Sequence, residues 1–188
     1  MQKNALAILC GIIVAITPLM AFSAEPPDID IKYLYRHEGS KQFKILTEGS
    51  ILYSGDFYKI LFAPATTEKT DIYVYVFQTD SSDNIYRLFP MKSFAGVTVN
   101  NFNPVQPGIT RYIPAKKKSF FLDEQIGKEQ IYFLATRQPD TELENQYQQV
   151  LLARSEQNPE KIQSAQETLR QRLKACEGCV NVLKFLHR

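Results

Sequence analysis

The residues whose types and spacing could support chemistry are few. Cys176 and Cys179 stand three apart in Ala175-Cys176-Glu177-Gly178-Cys179. That spacing serves a local disulfide, a thioredoxin-type redox pair, half of a zinc site or, with a histidine directly following, covalent haem attachment. Val180 follows the second cysteine, which excludes haem. A redox pair needs its first cysteine at a helix N-terminus, where the dipole favours thiolate, but Cys176 follows a long helical pattern and so falls at the negative end. Zinc would need two more ligands and would consume both histidines of the chain, His37 and His187. The simplest expectation is a disulfide that clips a helix end to the following strand, with about 2 kcal/mol of stabilisation for so small a loop. A thiol-disulfide or metal-binding factor using Cys176 and Cys179 stands as the alternative reading.

Lys116, Lys117 and Lys118 form the one dense charge run, with Arg111 and Lys128 close enough in sequence to join them if the loops converge. Such a cluster is a candidate surface for an anionic polymer or another protein; it would equally guard an edge strand against sheet-to-sheet pairing. Other chemistries find little support. No Gly-x-Ser-x-Gly elbow is present and His37 and His187 lie toward opposite ends, so no serine hydrolase is expected. The carboxylate pairs Asp28/Asp30, Asp80/Asp83 and Asp123/Glu124 fall in linkers or turns, where acidic residues are common. Residues 80–84 lack the central glycine and downstream glutamate of a calcium loop, and the eight glycines are scattered, leaving no phosphate-cradling loop. No catalytic residue, metal or cofactor is assigned.

Compartment is written at the N-terminus. Lys3 precedes an uncharged apolar stretch over 5–16, Pro18 breaks it, and Ala21-Phe22-Ser23-Ala24 offers small residues for cleavage after Ser23 or Ala24. The expected mature chain is periplasmic or secreted, with no stable membrane span once residues 1–24 are removed. The leader kept as an anchor is the competing reading. A lipid-modified Cys10 does not fit, since Ala7-Ile8-Leu9 lacks the small residue needed just before such a cysteine. Removing the leader leaves two cysteines, in a compartment where a disulfide persists.

The elements that would position these residues follow from periodicity. The 188 residues are 44% hydrophobic and 22% charged, with ten Tyr, twelve Phe and no Trp, a composition that leans toward strands. The net charge of +2 excludes a strongly electrostatic nucleic-acid binder. Residues 29–35 alternate as a half-buried strand, 43–46 is a short segment between turns, and 57–62 is a stronger strand. Residues 72–77 are apolar on both faces and belong centrally between two layers. A polar turn at 79–84 joins them to 85–89 as a hairpin. Pro90, Pro104, Pro107 and Pro114 mark a long connection with no central strand, and strands resume at 119–122 and 129–136 around a 123–128 turn. The period then changes. Thr141 with Glu144 reads as a capping box, with Leu143, Tyr147, Val150 and Leu151 on one face. Asn158-Pro159 opens a second helix whose stripe is Ile162, Ala165, Leu169, Leu173 and Cys176. Residues 180–187 read as a closing strand.

Gly55-Asp56 leading into 57–62, then Ile72-Tyr73-Val74-Tyr75-Val76-Phe77, then Ile85-Tyr86-Arg87-Leu88-Phe89-Pro90 resemble the bacterial family called domain of unknown function 4384. Gly108 through Ile113-Pro114, Phe120-Phe121-Leu122-Asp123 and Gly127-Lys128-Glu129-Gln130-Ile131-Tyr132 continue the resemblance, which covers about residues 50–140 and, loosely, the closing strand. Asn84 replaces a common turn glycine, and Met91 a small polar residue. The resemblance implies an antiparallel β-sandwich-like domain in envelope or secreted proteins, with no catalytic residues to carry over.

The expected organisation is a leader (1–24), an N-terminal strand and linker region (25–50), a β-rich core (50–140), a helical pair (141–178) and a closing strand (179–188). The fold class is mainly β, α+β overall. The expected function is an exported, non-enzymatic module that binds another envelope protein or polymer through a sheet edge or the 91–118 loop region.

Overall fold

The computed structural model describes residues 25–176 and 178–188. The leader expected over residues 1–24 lies outside the described residues. Strict alternation over Ile29–Arg36 (β1) turns Ile29, Ile31 and Tyr33 inward and Asp30, Lys32 and Leu34 outward. Two very short strands follow, β2 (Lys44–Ile45) and β3 (Ile51–Leu52), and then β4 (Phe57–Pro64), whose Tyr58, Ile60 and Phe62 are buried while Phe57, Lys59 and Leu61 are half-exposed. β1 and β4 pair antiparallel along their whole length, from Ile29 opposite Pro64 to Arg36 opposite Phe57. β2 adds to the far side of β1.

The doubly apolar segment becomes β5 (Tyr73–Thr79), which forms the expected hairpin with β6 (Ile85–Phe89). A small separate hairpin, β7 (Met91–Phe94) and β8 (Val97–Asn101), precedes β9 (Arg111–Ile113) and β10 (Phe120–Phe121). β9 and β10 both pair antiparallel with β4, on one side of it, and complete the first sheet. β11 (Gly127–Thr136), the helices α1 (Thr141–Ser155) and α2 (Pro159–Ala175), and β12 (Cys179–His187) close the chain. The second sheet runs β3-β12-β11-β5-β6, with β3 parallel to β12 and the remaining pairs antiparallel.

Packing explains why β5 is apolar on both faces. Val74 and Val76 point into the cluster shared by the two sheets, with Ile60, Phe62, Phe89, Ile131, Phe133 and Phe185. Tyr75 and Phe77 point the other way, into a second cluster with Leu143, Tyr147 and Val150 of α1 and Leu169 and Leu173 of α2. The layers are therefore sheet, sheet and helical pair, a mainly β α+β fold with the helices before the last strand.

Three local expectations change. The N-cap of α1 is Asp140, not Thr141: its side chain accepts from Leu143 N and its carboxylate also meets Arg172 of α2 at 2.7 Å. Leu151 is 38% exposed, and Ala153 takes its place on the buried face. The 90–114 connection carries the β7-β8 hairpin, turned by Ala95 and Gly96 with positive φ at both positions, the conformation a two-residue hairpin loop requires. Asn158 caps α2 as expected, accepting from Lys161 N with Pro159 just inside.

Candidate functional site

Both histidines, distant in sequence, meet the same turn at residues 53–56. Asp56, 3% exposed, accepts from Tyr53 N at 2.9 Å and Glu38 N at 3.2 Å, and its Oδ2 lies 2.9 Å from His37 Nδ1. Gly55 in this turn has φ +92°, and a Cβ there would fall 2.7 Å from Glu38 Oε2. His187, 1% exposed at the end of β12, places Nε2 3.1 Å from Ser54 Oγ and Nδ1 3.9 Å from Glu129 Oε1. Ser54, His187 and Glu129 thus stand in a row that superficially resembles a hydrolytic triad. The backbone N–H groups that would stabilise an oxyanion beside Ser54 are already committed: Ser54 N donates to Arg188 O, Gly55 N to Leu122 O and Asp56 N to Tyr53 O. The arrangement locks the turn against β12.

Glu129 belongs to the inner face of β11, in step with Ile131, Phe133 and Ala135, and so enters the sandwich at one end. Gln78 Nε2 donates to its Oε2 at 2.8 Å, and Gln78 in turn accepts from the Tyr58 hydroxyl. Burial pushes the Glu129 carboxyl up to about 7, against the lowering effect of the Gln78 hydrogen bond, and the charges of Asp80 and Asp123 push it further the same way. Burial, with the Glu129 charge second, raises Tyr58 well above the usual phenol range. Glu129, His187, Gln78 and Tyr58 line one side of a cavity of about 410 Å³ with Asp80, Tyr86 and Phe120.

The lysine run lies elsewhere. Ile113 pairs with Ile60 and Phe120 with Tyr58, so β9 and β10 are two halves of one edge strand and residues 114–119 arch out between them. The arch closes on itself with Lys118 N donating to Ala115 O at 3.1 Å, and Lys116, Lys117 and Lys118 are all exposed on it. The run therefore interrupts the edge strand instead of lying along it. Beneath it, Arg36 of β1 stacks 3.9 Å from the Phe57 ring centroid and Lys59 of β4 lies 4.2 Å from that of Phe43. Arg36, Phe43, Phe57, Lys59, Lys117 and Lys118 line a shallow cavity of about 400 Å³. Among the described residues none of these four cations forms an ion pair. Burial, and then the neighbouring Arg36 charge, lower the Lys59 ammonium below the usual lysine range.

The other sequence candidates do not converge there. Arg111 faces Phe62 at the far end of β9, and Lys128 is in the second sheet, opposite Leu186. Cys176 and Cys179 are joined in a disulfide. Cys176 is the left-handed C-cap of α2, its N–H reaching Arg172 O and Leu173 O, and Cys179 begins β12, so the pair does clip helix to strand. No group of three or more His, Cys, Asp or Glu among the described residues could hold a metal ion. No helix among them is long and apolar enough to cross a membrane.

What these elements define is a two-sheet β domain with a helical layer on one side. Residues 63–139 match the model of the family described as Domain of unknown function (DUF4384), the family that the sequence resembles. The matched segment runs from the end of β4 through β11; β1, the helical pair and β12, which complete both sheets and the covering layer, lie outside it. No curated protein and no solved structure matches the chain.

Proposed function

We propose that the chain is an exported, non-enzymatic binding module that engages another component of the cell envelope, protein or polymer, through the outer face of its first sheet. The leader pattern of residues 1–24 supports export. The observation that carries the binding reading is the contrast between faces: the outer face of the second sheet is covered by α1 and α2, while the first sheet turns Leu34, Phe57, Leu61 and Phe121 outward with no element of the described residues over them. Phe121 is 58% exposed and Ile45, on β2 opposite Leu34, is 60% exposed. Large exposed apolar side chains gathered on one face are characteristic of interaction surfaces.

Tagged wild-type protein and the Phe121→Glu/Ile45→Glu variant, both exported by their own leader, are the test. The variant should fold with an unchanged far-ultraviolet spectrum and lose the envelope component that the wild type retains after crosslinking. Equal retention by the variant would overturn the reading. The mass of the exported chain, starting at Ala24 or Glu25, checks the leader; an intact residue 1 would refute cleavage.

A further inference from the structure

We propose that Arg36, Lys59, Lys117 and Lys118 form a binding site for a phosphoryl group carried on an envelope polymer, a reading that rests on the outer-face proposal and names its ligand chemistry. Four cations converge from three elements on one cavity: β1 gives Arg36, β4 gives Lys59, and the arch gives Lys117 and Lys118. Bringing like charges together costs free energy, and here no carboxylate of the described residues offsets it. Burial first, and then the Arg36 charge, hold the Lys59 ammonium below the usual lysine range, so part of that cost falls on Lys59. The Lys59 ammonium rests over the Phe43 ring and the Arg36 guanidinium over the Phe57 ring, so both charged groups are positioned before any ligand arrives.

The type of anion follows from the donors. Arg36 already spends Nη1 on Ser40 O and its plane on Phe57, which weakens it as a bidentate carboxylate fork. The remaining donors are three ammonium groups, point charges that suit a compact anion with several equivalent oxygens better than a planar carboxylate. The arch lies at a sheet edge and the cavity is open to solvent at the exposed Lys117 and Lys118, so a chain bearing repeated phosphoryl groups can run past it.

The test is calorimetric titration of the exported, processed chain with a linear polyphosphate, with poly-glutamate of matched charge as comparator. Polyphosphate should bind, Lys59→Gln/Lys117→Gln/Lys118→Gln should weaken it by about tenfold or more, and the salt dependence should become shallower in that variant. Saturation should raise the Lys59 ammonium pKa, followed by NMR. Orthophosphate and phosphatidylglycerol vesicles identify the carrier: binding of either that is lost in the triple variant supports the site and names a free ion or a lipid headgroup as its source. Equal polyphosphate affinity of wild type and triple variant, or poly-glutamate bound as tightly as polyphosphate, would overturn the assignment. Phe121→Glu/Ile45→Glu separates the two proposals. If wild type ignores polyphosphate yet that variant loses envelope capture, the phosphoryl site fails and the outer-face reading stands; if polyphosphate binds through the lysines while capture survives, the reverse holds.

Discussion

The two sheets are built from similar alternating strands and meet over one interior, yet among the described residues only one of them is sealed. Behind the second sheet, Tyr75, Phe77, Tyr132 and Leu134 are each at most 4% exposed because Leu143, Tyr147, Leu169 and Leu173 of the helices close over them. Behind the first, the equivalent positions of β4 and β10 hold Phe57, Lys59 and Phe121, half-exposed or exposed, with Arg36 over the Phe57 ring, Phe121 packed against Phe57 and Lys59 over the Phe43 ring. The difference separates what the fold requires from what it leaves available. An apolar face that the helices cover is part of stability; an apolar and cationic face that the described residues leave bare contributes little to folding.

The sharpest way to break that comparison is to truncate one phenylalanine on each side of the first sheet. Phe62→Ala opens the shared interior where Phe62 meets Phe89 and Phe133, and should cost about 3–5 kcal/mol by urea denaturation. Phe121→Ala, on the bare face, should cost less than about 1 kcal/mol. Comparable losses would mean that the outer face is structural after all.

The next effect concerns the polar end of that interior. Glu129 keeps its proton up to about pH 7 when folded, while in the unfolded chain it gives it up near its ordinary 4.5. Between those values the folded state binds more protons, so stability falls as pH rises from about 4.5 to 7 and stays reduced above, by about 2 kcal/mol once partial solvent screening is allowed for. Glu129→Gln should remove most of this slope and be the more stable protein at pH 8. A slope unchanged in the variant would assign it to other groups.

Two further changes probe the helical layer behind the second sheet. Cys176→Ser with Cys179→Ser should lower stability by about 2 kcal/mol and leave the far-ultraviolet sheet signal intact; wholesale unfolding would show that the clip does more than fasten α2 to β12. Asp140→Ala should cost about 1 kcal/mol or somewhat more, since cap and ion pair go together, whereas Thr141→Ala should have almost no effect. The reverse order would restore Thr141 as the cap.

Much of the architecture was legible in the sequence because it depends on local patterning. The doubly apolar 72–77 run announced a strand between two layers, and Asn158-Pro159 announced the start of α2. The Asp140/Thr141 slip has a simple cause: both residue types cap helices, and the Arg172 contact that accompanies the choice of Asp140 comes from the next helix. The prolines of 90–114 hid the β7-β8 hairpin, although Ala95-Gly96 between two short β-type runs was a usable signal. Glu129 could have been found by parity, since it shares a face with Ile131 and Phe133. The cationic cavity could not. Lys116–118 was visible as charge, but Arg36 and Lys59 reach it only through the β1-β4 register, and a net charge of +2 conceals a cluster whose compensating acids lie elsewhere.

The arch between β9 and β10 has a consequence for how this molecule can change over time. Because β4 grips the chain on either side of residues 114–119, that segment can gain, lose or exchange residues while both flanking pairings stay in step. The ligand preference proposed for the arch can then drift by rewriting a few solvent-facing positions, with the scaffold spared each trial.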